Sequence, residues 1–100
     1  MKKYFINLNR SPDRREKFDE TWTRWEATDY RDLDDDDPIF ARMTSYWNIN
    51  PKEHKAKSAC FLSHYKLLQF IVSQKLNEVV ICEDDAMQIN PIPDTLGDHF

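Results

Sequence analysis

The chain opens with Lys3-Tyr4-Phe5-Ile6-Asn7-Leu8, a short β-prone run, which Asn9-Arg10-Ser11-Pro12 breaks with turn and cap residues. Ser11 suits a helix N-cap, Pro12 the first helical position, and Asp13 the positive end of the helix dipole. A helix is therefore predicted from there to about Thr23. Arg14, Phe18 and Trp22 recur at i, i+4 and i+8, and Trp25 lies three further on, giving an aromatic face with an arginine at its leading end. Trp25 to Tyr30 reads as a weak second strand, and residues 31–55 show no clean period. The strongest helical signal runs from Lys55 to Leu76. Phe61, Tyr65, Leu68, Val72 and Leu76 form its expected core stripe, Cys60, His64, Leu67 and Ile71 lie beside it, and Asn77 ends it. Glu78-Val79-Val80-Ile81-Cys82 is then a continuous apolar run of the kind buried in a parallel sheet, stopping at Glu83-Asp84-Asp85. Strand, helix, strand, long connection, helix, strand is the order of an open, mainly parallel α/β sheet, whose ligands bind beyond the carboxyl ends of its strands. The loops at Asn7 to Ser11 and at Glu83 to Asp85 both fall there.

One hundred residues hold a single domain, 1–100. Fourteen Lys plus Arg stand against eighteen Asp plus Glu, a net charge of −4. Five of the acids are Asp32 and Asp34 to Asp37; without them fourteen cations face thirteen acids, so the acidity is local. No basic stripe matches a phosphate backbone, which argues against nucleic acid as a partner. No stretch reaches the roughly 20 apolar residues of a membrane span, and the start of the chain has no export-signal pattern, so the expected location is cytoplasmic. Two cysteines are too few for a disulfide framework, and both sit in apolar segments, so Cys60 and Cys82 are expected to be reduced and packed.

Three consecutive acids repel one another unless a positive charge lies between them, and a divalent cation supplies it. Alternation along a strand places Glu83 and Asp85 on one side and Asp84 on the other, an arrangement suited to a hard cation such as Mn²⁺ or Mg²⁺. The alternative is a solvated acidic turn, and the buried strand before the triplet favours a site. Asp32, Asp34 and Asp36 imitate the start of a calcium loop. However, Asp37 occupies the position that needs glycine and Met43 the one that needs glutamate, so the run reads as a solvated loop. Cys60 and His64 could begin a zinc site, but His54 and Cys82 would have to complete it at spacings no structural zinc motif uses. Ser63 and His64 point about 100° apart on a helix and form no hydrolase dyad. On periodicity alone His64 is a core residue. Asn7, Asn9 and Arg10 precede a helix start that could hold a phosphate or be an ordinary capped turn. The only glycine is Gly97, which excludes the glycine-rich nucleotide-binding fingerprints.

Phe5 to Ser11 with Asp13-Arg14-Arg15, then Cys60-Phe61-Leu62-Ser63-His64, then Val79 to Ala86 together resemble glycosyltransferase family 25. That family includes lipooligosaccharide and collagen galactosyltransferases. The resemblance implies a GT-A-like sheet flanked by helices, here cut short after the acidic motif, with fifteen residues following Asp85. It also implies inverting transfer of a hexose, usually galactose, from a UDP-sugar to a glycan or lipid-linked acceptor, and it admits peripheral membrane association. Under it, Glu83 and Asp85 hold Mn²⁺ or Mg²⁺, and Asp84 faces the donor sugar or ribose. Asn7, Asn9 and Arg10 line the nucleotide, Arg14 supports the diphosphate, Asp29 reaches the uridine, and Ser63 and His64 match the family's Ser-His pair. The catalytic base has no match in these residues. The family carries glycine where this chain has Ala56 and Ala59. Two other readings compete: a donor-binding module without transfer activity, and a protein-interaction scaffold built on Trp22, Trp25 and Trp47, aromatics whose spacings also suit a core.

Overall fold

The computed structural model describes residues 1–33, 37–39, 42 and 55–96. Asp34 to Asp36 of the acidic run, Trp47 and His54 lie outside the described residues, as does most of the segment read as irregular. Strand β1 covers Lys2–Asn7, β2 covers Trp22–Glu26, helix α1 covers Lys55–Ser73 and β3 covers Val79–Glu83. The three strands form one parallel sheet in the order β2-β1-β3, with Phe5 level with Arg24 on one side and Cys82 on the other. This is the small open parallel α/β sheet expected from the element order.

The centre of the middle strand, Tyr4 to Ile6, is apolar because both of its faces are covered. Tyr4 and Ile6 face α1 and pack with the fully buried Leu67; Phe70, Ile71, Trp25 and Ile81 close around them. Phe5 points the other way and stacks on Phe18 at 4.0 Å between ring centroids, with Phe18 set edge-on to Trp22 at 5.3 Å. A second, smaller cluster surrounds Leu62, which is also fully buried, against Leu33, Ile39 and Phe61.

The helix expected from Ser11 to Thr23 is a correction. Only a 3-10 turn forms, Pro12–Arg15, and the Ser11 side chain makes no cap. The aromatic stripe that suggested a helix belongs to a strand and its approach. Trp22 and Trp25, three apart, lie on opposite faces of β2, where alternation sends one toward Phe18 and the other toward Phe70. Each ring contributes apolar burial to a different layer, so neither is a free scaffold surface. The second strand accordingly starts at Trp22 and ends at Glu26, earlier than Trp25 to Tyr30.

Helix α1 is where the sequence placed it, but with a different face inward. Ser58, Ala59, Leu62, Ser63 and Leu67 are buried, whereas Leu68 is 52% and Val72 76% exposed. The helix carries two adjoining apolar stripes, and the position of the sheet selects one. It ends before Asn77: the N–H of Lys75 donates to the Val72 carbonyl and that of Leu76 to Ile71, with Lys75 in the left-handed region at φ 55°. Among the described residues no helix is long and apolar enough to cross a membrane. Truncating Leu67 to Ala should cost about 2–5 kcal/mol of stability. Val72→Ala should change it by less than about 0.5 kcal/mol, an exposed substitution of little consequence. Urea unfolding of both variants measures the difference.

Candidate functional site

The carboxyl ends of β1 and β3, together with the first turns of α1, frame a cleft of about 320 Å³. Its position follows from parallel topology, which leaves the strands' ends and the loops leaving them on one edge. Arg10, Arg14, Ser63, His64, Glu83, Asp84 and Asp85, seven of the residues singled out in the sequence, line it. Asn7, Asn9 and Asp29 are not among its lining residues and act behind it.

Asn7 is 1% exposed at the end of the middle strand. Its Oδ1 accepts from Arg15 Nε at 2.6 Å and Arg24 Nε at 2.9 Å, and its Nδ2 donates to Asp84 Oδ2 at 2.9 Å and to the Ser11 carbonyl at 3.1 Å. All four capacities of the amide are used. Asn9 bonds Glu26 and accepts from Arg24 Nη2 at 2.7 Å, while Arg15 also donates to the carbonyls of Leu8 and Asn9. These arginine contacts draw the loop after β1 back onto the strand end, the geometry that a continuing helix would not allow. Burial, followed by the charge of Arg15, lowers the Arg24 pKa from its ordinary value. Neither Arg15 nor Arg24 was singled out from the sequence; the register that sets Arg24 level with Phe5, on the Asn7 side of the sheet, is tertiary information.

Asp29 works on Arg10. Its Oδ2 lies 3.1 Å from Arg10 Nε, and its Oδ1 accepts from the Arg31 N–H at the start of a short 3-10 turn, Tyr30–Asp32. The Arg10 guanidinium also sits 5.5 Å from the Tyr30 ring centre. Tyr30 borders the cleft, and its hydroxyl pKa is lowered by a hydrogen bond and the charge of Arg31, with Arg10 adding to the effect. No signal in the sequence marked Tyr30.

Strand β3 ends at Glu83, and Asp84 and Asp85 lie in the turn that follows, closed by the Ala86 N–H on the Glu83 carbonyl, so the alternation expected of the triplet reaches only its first residue. Glu83, level with Ile6, faces α1, where its Oε1 lies 3.4 Å from both His64 Nε2 and Cys60 Sγ. Asp84, 8% exposed, turns toward Asn7 and pairs with Arg14 Nη1 at 3.2 Å. Asp85 borders the cleft and has no hydrogen-bond or ion-pair partner among the described residues. Cys60 is another correction: it is exposed beside the acids, outside the apolar packing expected of it. Partial desolvation, then Glu83 and Asp85, push its thiol pKa up from the ordinary value. Burial likewise raises that of Cys82; both cysteines are free. Ser63 Oγ accepts from the Thr28 N–H at 2.9 Å and donates to the Ala59 carbonyl at 2.8 Å, tying the exit of β2 to the helix. Ala56 and Ala59 both line the cleft wall.

A cation fits part of this arrangement. The Asp84 carboxylate is already held by Asn7 and Arg14, whereas Glu83 and Asp85 present hard oxygen donors to the cleft. An open parallel sheet with a cleft at its carboxyl edge, lined by both guanidinium and carboxylate groups, defines an α/β protein. The profile of glycosyltransferase family 25 (LPS biosynthesis protein) matches residues 1–91. The chain belongs to glycosyltransferase family 25. Among curated proteins it is similar to a "Glycosyltransferase 25 family member" of Drosophila melanogaster, 36% identical over 95 residues. Proteins of the same description from Drosophila pseudoobscura pseudoobscura and Aedes aegypti are 35% and 34% identical. Each alignment covers 82% of this chain, but the chain spans only 15–16% of the length of these relatives. No solved structure matches the chain significantly.

Removing the Asn7 amide leaves two guanidiniums and a carboxylate short of a partner. Asn7→Ala is expected to cost about 1–3 kcal/mol in urea unfolding. Asn9→Ala on the exposed side of the same loop is expected to cost under about 0.5 kcal/mol.

Proposed function

We propose that the cleft binds the diphosphate of a nucleotide-sugar donor and that the chain supplies the donor-binding part of a glycosyltransferase. The observation that carries this reading is the presence of Arg10 and Arg14 together with Glu83 and Asp85 in the lining of one cleft. A diphosphate carries negative charge that two guanidiniums attract, and those carboxylates tolerate it only if a cation lies between. Family membership supports a sugar donor and an acceptor as partners. The finer assignment rests on the family resemblance: a GT-A-like fold, a UDP-hexose, galactose above all, transfer with inversion, and a glycan or lipid-linked acceptor.

In this reading Glu83 and Asp85 would hold Mn²⁺ or Mg²⁺, which when bound supplies neutralisation of charge on the departing nucleotide. Arg14 is held at the cleft by Asp84, with a side chain still 60% exposed and free to reach phosphate oxygens. Arg10 is fixed by Asp29 and Tyr30, so it meets the ligand pre-oriented and loses little rotamer entropy on binding. Asp29 thus contributes through Arg10. The walls at Ala56 and Ala59 carry a methyl group where glycine would let a ligand approach the backbone more closely.

A donor-binding module that transfers nothing by itself is the second reading. Incubation with UDP-galactose and Mn²⁺ separates the two, since slow release of UDP indicates transfer chemistry to water, whereas binding without release indicates the module. By calorimetry, Asp85→Asn is expected to abolish Mn²⁺-dependent UDP binding; unchanged affinity removes the cation from this residue. Arg10→Ala should weaken UDP about tenfold or more and uridine far less, the loss of one charge-assisted contact of about 1.5–3 kcal/mol. Equal losses for the two ligands refute a phosphate contact.

A further inference from the structure

We propose that Cys60, His64 and Glu83 form a binding site for a thiophilic divalent cation of the zinc type, at the corner of the cleft where α1 meets the end of β3. Cys60 and His64 are four residues apart on α1, which sets them on one face a turn from each other. The pleat of β3 turns Glu83 toward that face. The three ligand atoms, Sγ, an imidazole nitrogen and a carboxylate oxygen, all lie within 4.8 Å of one another. Glu83 Oε1 is 3.4 Å from both Cys60 Sγ and His64 Nε2. With metal bonds of about 2.3 Å to sulfur and about 2.0–2.1 Å to nitrogen or oxygen, tetrahedral ligand atoms sit about 3.5 Å apart. Two of the three separations therefore already have the required length, and the third closes by rotation of side chains at the cleft surface.

The donor set decides which cation. One thiolate, one imidazole and one carboxylate form a mixed soft and borderline set that selects zinc-like ions over Mg²⁺ or Mn²⁺, which prefer oxygen alone. Three protein ligands leave the fourth position to water on the open side of the cleft, the ligand count of zinc sites that exchange. Binding replaces the Cys60 S–H bond with a sulfur–metal bond, and the thiol proton passes to solvent. The sequence reading set such a site aside because it looked for a fourth ligand among His54 and Cys82. The missing third ligand instead comes from the strand, 19 residues beyond His64.

This inference shares Glu83 with the donor-site reading but not Asp85, the carboxylate whose replacement tests that reading, so the failure of one is distinguishable from the failure of the other. The test is titration of the full chain with Co²⁺, a spectroscopic stand-in for zinc. The expected result is a thiolate-to-cobalt charge-transfer absorption that saturates at one equivalent and disappears when Zn²⁺ displaces the cobalt. Cys60→Ser should abolish the band and weaken Zn²⁺ by on the order of 100-fold, at least the loss seen when a supporting residue is removed from a metal site. His64→Ala should weaken Zn²⁺ similarly while circular dichroism remains unchanged. Cys82→Ser and Asp85→Asn should both retain the band. No band with the unaltered chain, or a band that survives Cys60→Ser or vanishes in Cys82→Ser or Asp85→Asn, overturns the assignment. Loss of Mn²⁺-dependent UDP binding in Asp85→Asn with the cobalt band intact would show that the two sites, which share Glu83, rest on different remaining ligands.

Discussion

Asn7 ends the middle strand of the sheet, and its buried amide is where four segments of the chain meet. Oδ1 receives Arg15 from the loop after β1 and Arg24 from β2; Nδ2 reaches Asp84 beyond β3 and the carbonyl of Ser11. An amide can serve in this position because it offers two donors and two acceptors on one small planar group. A carboxylate would have no donor for Asp84, and an aliphatic group would take one partner from each of three charged side chains at the strand end. Fixing Asp84 in turn fixes Arg14, so the cationic wall of the cleft derives its position from the interior.

The turn that follows β3 buries Asp84 and leaves its neighbours exposed. Glu83 is the last residue of the strand and Asp84 and Asp85 belong to the turn, so the three acids do not point the same way. Asp84 goes to the Asn7 side, and Glu83 goes to the helix side, where Cys60 and His64 wait one helical turn apart. One acid thus serves the fold, and the remaining carboxylates are available to ligands. This division is what allows a three-residue motif to support both an internal ion pair and an open carboxylate edge.

Family membership and the cleft support each other in a limited way. The family profile spans 1–91, nearly all the described sheet and helix, and the three blocks that carry the resemblance are the segments that converge on the cleft. The shared length with the curated relatives is a small part of those proteins, so what the cleft does is argued from its own charges.

The parallel α/β order, the long helix and the third strand were legible because each is set by local periodicity and short turns, and the acidic motif was visible as three adjacent letters. The first loop misled: Phe18, Trp22 and Trp25 have helical spacing, but Phe18 stacks on Phe5 and the two tryptophans serve opposite faces of a strand. Spacing along a chain cannot say which partner a ring will find. The choice between the two apolar stripes of α1, the arginines that close on Asn7, and the meeting of Cys60 with Glu83 were likewise decided only in three dimensions. The sequence by itself determined the first and third strands, the long helix and where charge accumulates, because those depend on neighbours within a turn or two. Tertiary structure alone decided the second strand, which side of each element is buried and which charges face one another, because that requires residues about twenty to eighty positions apart to be brought into one register.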